Sequence, residues 1–457
     1  MGVVSFIAAS HPSPIQAGSF DSHYSGATMI QRRNFLISGL LTTVMAAVTR
    51  PAQAAESVAL PAPDPGKLAT DTAFWSGVRD LYDVDRSTAN LENGYWGIMA
   101  RPVLETYVEN IQRVNRQNTV YARKSFDADF AAVRDRVAGA LGVSPEEIAL
   151  TRGATEALQT LIAGYNKLQP GDTVLYADLD YDSMQYAMGM LESRRGVTIK
   201  TFAIPEPATR EAVLETYRKV LAETPRAKLL LLTHLSHRTG LVMPVREITA
   251  MARARGVDVI LDAAHSWGQL PLDMTDLGVD FAGFNLHKWI GAPVGLGFLY
   301  IRKGRLADID THMGDKDWPA DDVRSRIHTG TLNFAAALTI PAALDLHQAI
   351  GVTAKHARVS HLRNYWVERV AGIDAIEILT PNDPALHAGI TSFRIKGKVS
   401  KDDNTATVNR LRDEFKVLTV RRAGVAAGQC IRVSPAVYTT EAELDRLVTA
   451  LTAVTAA

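Results

Sequence analysis

Between Ile148 and Ile301, short apolar runs alternate with longer stretches of helical period. The runs Ile148–Leu150, Thr173–Tyr176, Val197–Phe202, Lys228–Thr233, Val257–Asp262, Phe281–Asn285 and Gly297–Ile301 read as strands. Most intervening stretches are long enough for a crossover helix, so the pattern predicts a mainly parallel sheet covered on both faces. Ligands of such sheets sit at the carboxyl ends of the strands. Upstream, the pattern predicts a helix over Thr70–Tyr82, a short strand at Thr88–Leu91 and a turn at Asn93-Gly94-Tyr95-Trp96-Gly97. Helical period then resumes at Pro102 and runs through Val103–Leu141. After Thr331 it changes again, to helices at Phe334–Ile350 and Thr353–Val370. Strands at Gly389–Ile395, Val417–Arg421 and Cys430–Ser434 follow, beside helices near Thr405–Phe415 and Glu441–Val454. The expected fold class is α/β, with a mainly parallel seven-stranded sheet in a large domain (98–332) and a small α+β C-terminal domain (333–457).

The first residues carry a different pattern. Gln31-Arg32-Arg33-Asn34-Phe35-Leu36 precedes a moderately apolar run, Ile37 to Val48, and then the small-residue site Ala52-Gln53-Ala54. A twin arginine, an apolar stretch of this length and such a site match a Tat-type export signal. We therefore expect 1–54 to be an extension and signal peptide, cleaved near Ala54, and the protein to be periplasmic. Residues 1 to 28 are polar and irregular, so translation is expected to start at Met29. Residues 55–97 form a leader and N-terminal segment, with Pro61, Pro63 and Pro65 in its first part. The signal implies the Tat export machinery as a transient partner, which carries proteins already folded.

Composition removes some classes of function. Basic and acidic side chains number 49 each, so no basic excess points to nucleic acid. The single cysteine, Cys430, excludes an intrachain disulfide and a multi-cysteine metal site, and no metal is expected.

Four segments carry chemistry. Val259-Ile260-Leu261-Asp262-Ala263-Ala264-His265 ends a strand in a carboxylate, and Lys288 follows Asp262 by 26 positions in Phe284-Asn285-Leu286-His287-Lys288-Trp289. Pyridoxal-phosphate chemistry needs this pair of groups: an amine to bond the aldehyde and a carboxylate to keep the pyridine nitrogen protonated. Thr151-Arg152-Gly153-Ala154-Thr155-Glu156-Ala157 reads as strand, glycine turn and helix start, which suits a phosphate. Ile431-Arg432-Val433-Ser434 places an arginine, whose planar fork grips a carboxylate.

These segments closely resemble the class V aminotransferases, fold-type I pyridoxal-phosphate enzymes that include cysteine desulfurases, kynureninases and isopenicillin N epimerases. The likeness spans about Leu91 to Leu451 and is firmest from Asp262 to Lys288. It implies a fold-type I PLP-dependent transferase with pyridoxal 5'-phosphate bonded to Lys288, Asp262 at the ring nitrogen and His265 near the phenolic oxygen. It further implies phosphate ligands at Ala154, Thr155, Asn285 and His287. Tyr181 would stack on the ring, or else be a loop tyrosine. Gly330 and Thr331 match a pair that reaches the phosphate from a neighbouring subunit, which implies a homodimer with shared active sites. Arg432 would bind the substrate carboxylate, with Asn93 lining the same pocket. His237 and Arg238 either contact an acidic or extended substrate or face solvent.

The stretch Val420–Gln429 lacks the nucleophilic cysteine that a cysteine desulfurase needs. Transamination, epimerisation and β-elimination remain, all starting with removal of the Cα proton. With the export signal, the chain resembles exported class V enzymes that modify the side chain of a peptide siderophore such as pyoverdine. The expected activity is transamination-type chemistry on an amino acid or peptide-borne aminoacyl unit. Isopenicillin N epimerase-like epimerisation and a C–S lyase are the alternatives, and a non-catalytic binding protein of the same fold comes last.

Overall fold

A computed structural model describes Leu60, Asp64 and residues 66–456. The export signal, Met29 and the cleavage site near Ala54 lie outside the described residues.

The central sheet has seven strands: β1 (Ile148–Thr151), β2 (Thr173–Ala177), β3 (Thr198–Phe202), β4 (Ala227–Thr233), β5 (Asp258–Asp262), β6 (Phe281–Asn285) and β7 (Gly297–Ile301). Their order is β1-β7-β6-β5-β4-β2-β3. Only β7 runs antiparallel to its neighbours, so the sheet is mainly parallel. Every residue of β6 and β7 is buried, as continuous apolar runs require when both faces are covered. The edge strand β3 instead has only exposed and half-buried positions.

One close approach positions the ligand end of the sheet. The helix Ala154–Gly164 lies directly on β6. A Cβ at Gly283 would come within 2.6 Å of Leu158 Cγ, so only glycine lets the helix settle there. The result places the start of that helix beside the ends of β5 and β6.

A second sheet comes wholly from later residues: β8 (Ile376–Ile378), β9 (Thr391–Ile395), β10 (Val420–Arg422) and β11 (Cys430–Val433). It is antiparallel, in the order β10-β11-β9-β8. The helices Val352–Val370, Lys401–Phe415 and Glu441–Ala456 pack with it around Leu362, Trp366, Phe393, Leu411 and Leu444. Ser400 and Asp403 form a capping box that starts the helix at Lys401, earlier than the apolar period alone suggests. The strand expected over Val417–Arg421 is divided. Val417–Leu418 pairs in parallel with Ala89–Asn90, and only Val420–Arg422 joins the four-stranded sheet.

That parallel pairing continues as a bridge between Glu92 and Ser434. The segment 89–94 is thereby stitched onto the later sheet. Another tie runs through Gly240, whose φ is +79° and whose Cβ would overlap the Ile390 carbonyl. Only glycine permits this loop to pass so close to β9.

Candidate active site

A cavity of about 330 Å³ opens at the carboxyl ends of the central strands. Ala154, Thr155, Tyr181, His237, Asp262, His265, Asn285, His287, Lys288 and Arg432 all line it, which brings together most of the residues singled out in the sequence.

At its floor, Asp262 ends β5 and is 4% exposed. Its Oδ1 accepts from the Ala264 N–H at 2.9 Å. Burial holds its pKa above the ordinary carboxylate value, while the Ala264 N–H and the Lys288 charge act in the opposite direction. A cationic partner in the cavity would restore the ionised form.

Lys288 lies three residues beyond β6, with its Nζ 2.9 Å from His265 Nε2. The Trp289 indole N–H donates to His265 Nδ1 at 3.4 Å. That donation puts the proton of the neutral imidazole on Nε2, which leaves the Lys288 amine as acceptor. The electrostatics agree. Burial pushes Lys288 down to about 7, and burial with the nearby cations keeps His265 well below its usual value. Burial thus makes the unprotonated, nucleophilic form of the Lys288 amine accessible near neutral pH, beside a neutral imidazole.

The phosphate-like corner is built from three pieces. Helix Ala154–Gly164 starts directly after Gly153 and offers first-turn N–H groups. Asn285 Oδ1 accepts from the Ala154 N–H at 2.8 Å and so keeps the turn in place. His287 Nδ1 donates to the Leu296 carbonyl at 2.9 Å, while burial pushes the ring down to about 4. An anion bound here would draw a proton onto its other nitrogen.

On the opposite wall, Arg432 sits in β11 and is 1% exposed. It donates to the His237 carbonyl at 2.9 Å and to Glu92 at 2.5 Å. The His237 ring is buried, meets Tyr181 edge-on with centroids 5.2 Å apart, and has no partner for Nδ1.

Two expected residues, Asn93 and Arg238, fall elsewhere. Asn93 is 3% exposed and does not line the cavity. Its amide donates to the Asn90 and Ser434 carbonyls and accepts from the Tyr438 hydroxyl, so it anchors the turn. Arg238 is fully buried and faces neither solvent nor cavity. It pairs with Asp182 and donates to the Asp180 and Ala423 carbonyls, tying the loop after β4 to the one after β10. Gly330 and Thr331, expected at the phosphate of a neighbouring subunit rather than at this one, line a separate cavity with Phe126, Arg134, Trp318 and His328.

Two residues of this wall escaped the sequence reading. Arg422 lines the cavity, and Glu92 bonds both arginines. Pairings 330 and 340 positions apart in the chain leave no local signature.

Residues 100–447 match the family model described as aminotransferase class-V. The isopenicillin N epimerase of Streptomyces clavuligerus is 28% identical over 400 residues, covering 84% of this chain and 99% of the relative. A probable cysteine desulfurase of Mycobacterium leprae is 29% identical over 336 residues, covering 68% of this chain and 78% of the relative. Among solved structures, a C-DES mutant with glycine covalently linked to the PLP cofactor superposes with a TM-score of 0.70 at 22% identity. That likeness covers 85% of this chain and 99% of the other.

Proposed function

The chain belongs to the class V aminotransferase family, with pyridoxal 5'-phosphate as its cofactor, and from this we propose that it acts at the Cα amino group of an amino acid or peptide-borne aminoacyl substrate by transamination-type chemistry. The observation that carries the reading is the depressed Lys288 amine, set in one cavity with Asp262 and Arg432.

The residues present fit the cofactor. Asp262 has a buried carboxylate with an oxygen free for a cationic ring nitrogen, and the start of helix Ala154–Gly164, with Thr155 and His287, suits the phosphate. When bound, pyridoxal phosphate supplies an aldehyde for an amine and an electron sink for charge developing at the substrate Cα. Arg432 binds the substrate carboxylate and so fixes which bond at Cα faces Lys288. Lys288 then takes the Cα proton and holds it on Nζ. His265 donates its Nε2 proton to the free amine and keeps it aimed into the cavity. Cys430 plays no nucleophilic part: it is fully buried, and burial pushes its thiol up to about 11.

Capture of the cofactor by apo-protein consumes the free amine of Lys288. Its rate is expected to rise about tenfold per pH unit below about 7 and to level off above that value. Stopped-flow absorbance across pH 5–9 (roughly, spanning the shift) checks this, and a rise continuing to the ordinary lysine range near 10 would contradict it.

A second reading, epimerisation, is favoured by the match to nearly the whole length of the Streptomyces epimerase. The visible spectrum of the holoenzyme separates the two as amino acids and amino-terminated peptides are added. Bleaching to the amine form of the cofactor, with recovery on adding a keto acid, supports transamination. Exchange of the Cα proton with solvent without bleaching replaces it by epimerisation.

Periplasmic action rests on the twin arginine and the site at Ala52-Gln53-Ala54. Replacing Arg32 and Arg33 by lysine should retain the protein in the cytoplasm, and unchanged export would remove the proposal. A homodimer is supported by the exposed Tyr95 and Val294 on the cavity wall, with Trp96 exposed beside them. A monomeric mass by light scattering would count against it.

A further inference from the structure

The cavity wall that holds Arg432 carries a second guanidinium. Arg422 ends β10, lines the same cavity and is joined to Arg432 through a single atom. Glu92 Oε1 accepts from Arg432 Nη2 at 2.5 Å and from Arg422 Nη2 at 3.2 Å. Glu92 Oε2 is buried without a partner, as are the Nε atoms of both arginines.

The bonding of Arg422 is unlike that of an arginine used only as scaffold. Arg238 divides its donors among Asp182 and two backbone carbonyls. Arg363 reaches Thr391, Asn364, Asn382 and two carbonyls. Arg422 makes one bond, to Glu92, among the described residues. Its side chain is 23% exposed, against 1% for Arg432, so it looks into the cavity from nearer the opening.

Charge tells the same story. Two guanidiniums share one carboxylate, which leaves one positive charge in excess in a poorly hydrated place. Burial first, and the neighbouring Arg432 second, push Arg422 down to about 10, with Glu92 opposing. An incoming anion relieves that strain on both cations, and their unused N–H groups are the donors it would meet.

We propose that Arg422 is a second substrate-binding residue, coupled to Arg432 through Glu92 into one carboxylate receptor with a single positive charge in excess. The inference rests on the reading that the substrate carries a carboxylate. It adds that Arg422 binds that carboxylate together with Arg432, and that Glu92 is a positioning residue which sets the charge of the receptor.

Calorimetric titration of the cofactor-loaded protein with propionate and succinate tests this, since neither probe has an amine to react. Wild type should bind propionate. Arg422→Met should weaken that binding by roughly tenfold or more, and Arg422→Lys should recover part of it. Glu92→Gln keeps the shape but raises the excess charge, so the preference for succinate over propionate should grow about tenfold. Each variant must first show the wild-type cofactor absorption, which establishes an intact fold. Unchanged propionate affinity in Arg422→Met would overturn the role of Arg422 while leaving the functional reading in place. An unchanged succinate-to-propionate ratio in Glu92→Gln would overturn the role of Glu92. Failure of wild type to bind propionate would remove carboxylate recognition from the cavity, and the functional reading with it.

Discussion

Lys288→Ala is expected to lose covalent cofactor binding and about four orders of magnitude in turnover, while its cofactor-free form melts no lower than cofactor-free wild type. The first part follows from geometry, because Lys288 Nζ is the amine that lines the cavity, held by His265 at 2.9 Å. The second follows from linkage. The folded-state pKa of Lys288 is depressed to about 7, below its value of 10.5 in water. Between those values the unfolded chain binds the extra proton, so this group's contribution to stability rises with pH and is most unfavourable below about 7. Removing the amine removes that penalty at neutral pH. A cofactor-free variant that unfolds much earlier than cofactor-free wild type would indicate a structural lysine instead.

Arg432→Ala is expected to raise the apparent KM for the amino substrate by about a hundredfold, through loss of charge-assisted hydrogen bonds to its carboxylate. It should also destabilise the fold by about 3 kcal/mol, because Glu92 then keeps only its longer bond to Arg422 at 3.2 Å. Arg432→Lys separates these effects. It keeps a positive charge near Glu92 but not the planar fork, so stability should largely return while KM stays high. Steady-state kinetics and thermal melts of both variants check the pair of outcomes. A KM unchanged in Arg432→Ala would take the carboxylate role away from this residue.

The central sheet was legible because its pattern is local. Runs such as Leu229–Leu232 and Phe281–Phe284 carry no polar side chain, and each is closed by a polar residue, Thr233 or Asn285. Asp262 and Lys288 were legible for a related reason: Asp262 ends a buried strand and Lys288 follows one by three residues, so their positions along the chain already place them at the ligand end. The second sheet was less so. Ile376–Ile378 is three half-buried residues with no run to announce it. The break at Thr419 separates two pairings that only tertiary structure assigns.

The substrate wall shows the same limit more sharply. Asn93 adjoins Gly94, which does line the cavity, yet the turn points the Asn93 amide back at Asn90, Ser434 and Tyr438. Arg238 stands next to His237 in the chain, but one faces the cavity and the other is spent on backbone carbonyls and Asp182. Glu92 meets its arginines only because Ala89–Asn90 pairs with Val417–Leu418.

Lys288, and no other lysine, is expected to bond the cofactor. The structure contains a credible competitor in Lys355, which is 7% exposed and likewise pushed down by burial to about 7. Its amine, however, donates to the Trp289 carbonyl at 2.5 Å, lies 3.1 Å from His347 Nδ1, and does not line the cavity. Borohydride reduction of the holoenzyme, followed by peptide mass mapping, distinguishes the two directly. One pyridoxyl-phosphate mass is expected, on the peptide that contains Lys288. The label on Lys355, or on no lysine at all, would contradict it.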